Sequence, residues 1–322
     1  MTLSELRYLV AVADLQHFGR AAERCHVTQP TLSTQLRKLE ESLGVTLFER
    51  SNRGVVATPI GERIVARARR ILEEADQINQ MARHDKGLLA STIRLGIIPT
   101  VSPYLLPLFL RPLHEAFPEL RVVLREDLTG NLLEELAAYE VDVLLLALPS
   151  EADGCTALPL FEEPFWFACP SGHALAAAPV VTEGDLAGQE LLLLSEGHCL
   201  RAQALAICGE QWADRTSSSD DLRASSLETI CQMVAAGLGC TLLPALAVPH
   251  LARDGGGIAV RPFRAVMDHR RLGLLWRTSF PRSEDLIALG RFIQEHLPGS
   301  VRITSRAAAA PARIGARAHE HG

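Results

Sequence analysis

The hydrophobic pattern of this chain changes period once, near Thr92, and that change limits the folds open to it. Before it, apolar residues recur at steps of three and four, as they do along one face of a helix. After it, short runs of Leu, Ile and Val alternate with helical stretches. Strands are expected at Thr92–Ile98, Leu120–Glu126, Val141–Leu148, Leu191–Leu194, Cys240–Leu243, Ile258–Phe263 and Arg271–Trp276. Helices are expected at Tyr104–Phe117, Leu132–Tyr139, Leu200–Ile207, Leu227–Ala236 and Glu284–His296. The alternation predicts an α/β architecture with mainly parallel sheets, whose ligands sit in a crevice beyond the strand C-terminal ends.

The first ninety residues read differently. Leu3, Leu6, Leu9 and Val10 form one apolar stripe, and Phe18, Ala21 and Ala22 begin a second helix that stops near Cys25-His26. Thr28 suits an N-cap and Pro30 the opening turn of a helix over Thr31–Leu43, with Gly44 as its terminator. Val45–Phe48 and Val55–Thr58 flank a polar, basic tip, as in a β-wing. Pro59 then starts a helix to about Lys86. Its Ile64, Ala68, Ile71, Ala75, Ile78 and Ala82 make a seam for a partner helix, unless the stripe packs on its own body.

Within the third helix, Leu32, Leu36 and Leu39 face a core. Gln29, Pro30, Thr31, Ser33, Thr34, Arg37 and Lys38 lie on the opening turn and the opposite face. Hydroxyls and amides at a helix N-terminus suit base edges in a major groove, while Arg and Lys neutralise phosphates. Arg50 and Arg53 at the wing tip suit the adjacent minor groove or its phosphates. Any one of these residues alone would be merely solvated; three helices and a basic wing together point to double-stranded DNA. Residues 1–90 carry 13 Lys and Arg against 11 Asp and Glu, a charge of +2, which leaves −8 for the rest of a chain totalling −6. Such an asymmetry fits a nucleic-acid module on an acidic body.

Composition excludes several classes. Hydrophobic residues form 48% of the 322 and charged residues 22%, an ordinary globular balance with room for two or three domains. No run approaches the roughly 20 apolar residues of a membrane span, and Glu5 and Arg7 break any apolar signal core, so a cytoplasmic protein without membrane partners is expected. Seven cysteines without a CxxC argue against a disulfide scaffold or a zinc ribbon. Cys25, Cys155, Cys169, Cys231 and Cys240 read as small buried hydrophobes. Gly255-Gly256-Gly257 is a loop signal, since neither a Walker lysine nor GxGxxG follows.

"FGRAAERCHVTQPTLSTQLRKLEESLGVTLFER" and "ATPIGE" resemble the winged helix-turn-helix of the LysR-type transcriptional regulators. The resemblance covers about residues 1–300. It implies a winged helix-turn-helix domain over 1–58, a linker and dimerisation helix over 59–88 and a regulatory domain over 89–303; residues 304–322, rich in Ala, Pro and Arg, read by composition as a disordered tail. The regulatory domain would have two subdomains like a periplasmic binding protein (type 2), joined by strands crossing near Pro164 and Arg264–Asp268. Homodimers paired into homotetramers, promoter DNA and RNA polymerase are the partners implied.

"GHCLRAQALAIC", "IPTVSPYLLP", "DLTGNLLEEL", "SLETICQMVAAGLGCTLLPALAVP" and "RRLGLLWR" are similar to the peroxide-sensing branch of that family. By that resemblance Cys199 is the peroxidatic cysteine and Cys208 the resolving one, while Thr100, Thr129, Arg270, His198 and Arg201 line the peroxide pocket. A thiol reductant such as glutaredoxin or thioredoxin would reset the pair. No cofactor or metal is implied, hydrogen peroxide being the effector.

The residues themselves add a constraint. Leu200–Ala206 are strong helix formers, and a helix joining Cys199 to Cys208 rises roughly 13–14 Å and sets the sulfurs on opposite sides. A disulfide needs Cα atoms within about 7 Å, so the bond would require remodelling. A helix dipole, Arg201, Arg270 or a protonated His198 would favour the Cys199 thiolate. The plain alternatives are Thr100 as a helix N-cap, Thr129 as a turn residue, His198 as a cap and Arg270 with Arg271 as a surface pair. Against the pattern of the resembled family, Ala202 stands where an acidic residue is frequent, and the Gln211–Asp221 stretch is a few residues longer than is common. Two other functions fit parts of the chain: a metabolite-responsive regulator holding a small organic anion between its lobes, and a thiol peroxidase. The latter leaves the DNA module unexplained, so an enzyme is not expected.

Overall fold

The computed structural model describes residues 1–51, 54–81, 88–149, 152–208, 224–251, 257–265, 269–304 and 312–313. The chain divides into two compact units, Met1–Gly87 and Leu88–Gly322.

In the first unit, α1 (Leu3–Leu15), α2 (Phe18–Arg24) and α3 (Gln29–Leu43) precede an antiparallel wing, β1 (Phe48–Ser51) and β2 (Gly54–Ala57), and the long α4 (Pro59–Met81). Thr28 caps α3 by accepting the Thr31 N–H, and Gly44 closes it at φ 67°, a left-handed conformation open to glycine. Leu6, Leu9, Val12, Leu32, Leu36, Leu39 and Leu47 form the core. Gly61 lies where α4 meets the segment before the wing: an added Cβ would run into the Leu47 carbonyl oxygen. Thr58 Oγ1 donates to Thr46 O at 2.8 Å and accepts the Gly61 N–H at 3.0 Å. The Thr and Gly of the "ATPIGE" motif are therefore demanded by backbone approach.

The α4 stripe divides. Val65 and Ala68 are buried in this unit's own core and Ile64 and Leu72 pack against it, so the early part serves the body it belongs to. Ile71 and Ile78 remain 41% and 69% exposed. Ala82 lies outside the described residues.

In the second unit, β3 (Thr92–Ile97), β4 (Arg121–Glu126) and β5 (Val143–Leu148) are parallel, with α5 (Ser102–Ala116) and α6 (Thr129–Ala137) as their connections. The longest strand, β6 (Cys155–Pro170), is absent from the strands expected from the hydrophobic pattern, and only the family resemblance sets a crossing strand near Pro164. Its first part pairs antiparallel with β10 (His269–Arg277), which in turn pairs antiparallel with β5. From Phe165 onward β6 instead pairs antiparallel with β8 (Thr241–Pro244) and β9 (Ile258–Arg264). Thus β6 passes from one lobe to the other through Pro164, where the crossing is expected. The 266–268 stretch lies outside the described residues. The expected mainly parallel sheet is corrected: parallel strand pairing is confined to β3–β5 and to β7 (Val181–Thr182) on β9, and the other described strand pairings of this unit are antiparallel, centred on β6 and β10, which return between the lobes.

Helices α7 (Cys199–Cys208), α8 (Leu227–Ala235), α9 (Val248–Leu251) and α10 (Ser283–Glu295) complete the unit. Leu191–Leu194 makes only single bridges, Leu191 to Cys240 and Leu194 to Ala224, rather than a strand. Two short strands, β11 (Arg302–Ile303) and β12 (Ala312–Arg313), pair with β6. The segment expected as a disordered tail therefore contributes two residues to the sheet, because β6 offers them an edge. Among the described residues no helix is long and apolar enough to cross a membrane.

Candidate functional site

Cys199 begins α7, and Cys208 ends it. Ten residues is below the roughly 12–15 at which an isolated helix holds itself in water, so packing must hold this one. Among the described side chains, Leu200, Ala204 and Ile207 are buried, and Cys199 and Leu205 pack half-buried against the same core. Gln203 Oε1 is buried without a hydrogen-bond partner among the described residues. The Cys199 thiol is free and half-buried. The Cys208 side chain and the Gln211–Asp221 stretch lie outside the described residues; Ala202 is exposed.

Thr100 and Arg270 come together. Arg270 Nη1 donates to Thr100 Oγ1 at 2.9 Å and Nη2 to Thr100 O at 3.0 Å. Its Nε donates to Glu163 Oε2 at 2.8 Å, and Glu163 Oε1 accepts the Leu246 N–H at 2.7 Å. Thr100, Arg270 and Glu163 are all buried. Because the Thr100 oxygen accepts from a guanidinium, its own proton is left to donate elsewhere. Thr100 is no helix cap; α5 follows Val101 with no side-chain cap. Arg271 is the exposed member of the arginine pair, reaching Glu162 at 3.3 Å. Glu163 was not singled out from the sequence, although it is a carboxylate inside a mostly apolar run.

Thr129 is the first residue of α6, and its Oγ1 is buried with no hydrogen-bond partner among the described residues. A buried hydroxyl left so is a place for a small polar guest. Its neighbour Leu128 packs on the loop before Cys199: a Cβ added to Gly197, which sits at φ 90°, would lie 2.8 Å from Leu128 Cδ1. The Gly197-His198-Cys199 turn thus rests on the start of α6.

Two electrostatic expectations need correction. His198 is buried, and that burial lowers its pKa below 6.5, so it stands neutral near pH 7 and brings no cation to Cys199. Arg270 brings no unbalanced charge either, being matched by Glu163. Arg201 is half-buried with Nη1 donating to Leu194 O at 3.2 Å, which ties α7 to the 191–194 segment. Of the two arginines, it is the one not balanced by a carboxylate in a described bond.

In the first unit, Gln29, Pro30, Thr31, Thr34, Arg37 and Lys38 are exposed along α3 and Ser33 is half-buried. Thr31 Oγ1 lies 2.8 Å from Thr28 Oγ1, so its hydroxyl shares in the cap. Arg50 is in β1, paired in register with Val55. Arg53 lies outside the described residues.

Residues 3–62 match the bacterial regulatory helix-turn-helix protein family, lysR type, and residues 86–298 match the LysR substrate binding domain. The chain is 42% identical over 299 residues to the DNA-binding transcriptional dual regulator OxyR of Escherichia coli K12, covering 93% of this chain and 97% of that one. It resembles the solved full-length OxyR of Pseudomonas aeruginosa, a cysteine-to-aspartate variant, with TM-score 0.79 and 41% identity over 95% of this chain and 98% of that one. A cysteine-to-serine variant of Corynebacterium glutamicum OxyR with hydrogen peroxide bound matches at TM-score 0.63 and 38% identity, covering 92% of each chain. A helix-turn-helix unit joined to a two-lobed α/β unit, matched along nearly the whole length, places this chain in the LysR family of bacterial regulators.

Proposed function

We propose that this chain is a hydrogen-peroxide-sensing, DNA-binding transcriptional regulator of oxidative-stress genes, switched by a reversible disulfide between Cys199 and Cys208. The observation that carries it is that these two cysteines stand at opposite ends of one short helix. The relatives named as OxyR, one solved with hydrogen peroxide bound, support the same reading.

The Cys199 thiolate attacks one peroxide oxygen: an S–O bond forms, the O–O bond breaks, and hydroxide leaves to be protonated. Thr100, with its proton free to donate, and Thr129, with its orphan hydroxyl, hold the two peroxide oxygens. Arg270 orients Thr100. Cys208 then displaces hydroxide from the Cys199 sulfenic acid, so two thiols and one peroxide become one disulfide and two waters. The roughly 13–14 Å of helix between them must unwind for the sulfurs to meet. Oxidation is thus a covalent effector that selects a second backbone arrangement.

In this reading the protein works in the cytoplasm as a homodimer joined through the exposed part of α4, with dimers paired into tetramers on promoter DNA. RNA polymerase and a reductant such as glutaredoxin or thioredoxin complete the cycle. No metal or cofactor takes part, and one peroxide is consumed per switching event, so the role is regulatory rather than enzymatic. The test is Cys199→Ser: footprints and transcription with and without peroxide should become identical, and an undiminished response would exclude the mechanism.

A further inference from the structure

Two cysteines outside the switch, Cys169 and Cys240, each lie one residue beyond the stretch over which β6 and β8 pair. The register of that pair runs Phe165–Pro244, Trp166–Leu243, Phe167–Leu242 and Ala168–Thr241. One further step sets Cys169 opposite Cys240. The Cys240 main chain is turned away from β6: its N–H donates to Glu190 O and its carbonyl accepts from Leu192 N–H, both at 2.7 Å. With respect to β6, Cys169 and Cys240 are therefore a non-hydrogen-bonded pair. Such pairs bring Cα atoms to about 4.5 Å with the side chains on one face, within the roughly 4.4–6.8 Å that a disulfide spans. Both thiols are free and buried, at 0% and 2% exposure.

We propose that Cys169 and Cys240 form a second, cross-strand disulfide under sustained hydrogen peroxide, independent of the Cys199 switch. One thiolate attacks the peroxide, giving a sulfenic acid and hydroxide. The facing thiol displaces the second hydroxide, so two thiols and one peroxide yield one disulfide and two waters. Burial pushes the Cys240 thiol up to about 12, with neighbouring Cys169 adding to the effect, and burial raises Cys169 as well. Thiolate is then scarce at both positions, and the reaction runs more slowly than at an unperturbed cysteine near pH 7. The pair responds to dose and duration rather than to the first peroxide. Its bond would staple β6 to β8 beside the crossing, where Glu163 on β6 takes the Leu246 N–H just past β8.

The experiment uses the full chain carrying Cys199→Ser and Cys208→Ser, so its failure leaves the reading of the primary switch untouched. The protein is held in excess hydrogen peroxide, free thiols are alkylated after denaturation, and peptides are mapped without reduction. The expected result is a Cys169–Cys240 linked peptide that accumulates slowly and disappears with dithiothreitol. If both remain alkylatable at a dose that oxidises the other cysteines, or either sulfur is joined elsewhere, the proposal is overturned.

Discussion

Glu163 and Arg270 stand directly opposite one another on β6 and β10, their side chains 0% and 1% exposed and Nε 2.8 Å from Oε2. The pair sits where β6 crosses between lobes: Glu163 also holds Leu246 beyond β8, while Arg270 holds Thr100 beyond β3. One carboxylate thus sets both the crossing and the orientation of a pocket hydroxyl.

Removing one partner of a buried ion pair leaves the other uncompensated, at a cost of about 3–5 kcal/mol. Glu163→Ala should therefore lower the urea midpoint strongly. Glu163→Gln keeps an acceptor for the Leu246 N–H but releases the Arg270 charge. We expect it to fold, to bind operator DNA when reduced, and to oxidise at Cys199 about tenfold more slowly, since one misdirected donor costs that much or more. Stopped-flow oxidation beside a reduced-state footprint separates the two effects. An unchanged rate would make Glu163 purely architectural.

Thr129→Val keeps the shape of the side chain and removes a buried hydroxyl that has no partner among the described residues. Relief of that group, worth about 1–3 kcal/mol, should leave stability unchanged or raised. The rate of Cys199 oxidation should fall by about tenfold or more if the hydroxyl meets peroxide. Lower stability with an unaltered rate would assign Thr129 to the fold alone.

The α7 bounds are readable from Leu200–Ala206 because every residue there favours a helix and each end falls at a cysteine. Thr28 and Gly44 likewise announce α3, since the one supplies a capping hydroxyl and the other takes a left-handed backbone that few residues adopt. The β6 strand was hidden by Pro159, Pro164 and the Glu162-Glu163 pair, which break the expected alternation of a strand. Those residues make sense only with their partners: Arg270 and Arg271 lie more than a hundred positions away. The pocket's electrostatics were unreadable for the same reason. His198 and Arg270 are cations on paper, and only burial in one case and Glu163 in the other show that neither offers net charge.

His198 gives the chain a pH signature. Burial lowers its folded-state pKa below the usual 6.5, so the unfolded chain takes up the proton first as pH falls. The stability it allows is full above pH 6.5 and is lost as pH falls through 6.5 toward the folded value. Thermal midpoints of the reduced protein should decline across that window, and His198→Gln should flatten the decline. An identical slope in both proteins would remove His198 as the titrating group.

The exposed face of α3 makes the last prediction, because its residues divide by what they can read. Arg37 and Lys38 carry charge to phosphates, and each neutralised phosphate releases counterions whatever the base sequence. Arg37→Ala or Lys38→Ala should weaken binding uniformly and reduce the slope of log affinity against log salt by about one for each phosphate no longer neutralised. Gln29 and Thr34 are uncharged and sit early on the same exposed face. Gln29→Ala should leave the salt slope unchanged and cost about 1–3 kcal/mol of discrimination at one base pair. Titrations of operator and scrambled duplexes at several salt concentrations distinguish the classes. If Gln29→Ala lowers affinity equally for both duplexes, α3 does not read bases through that side chain.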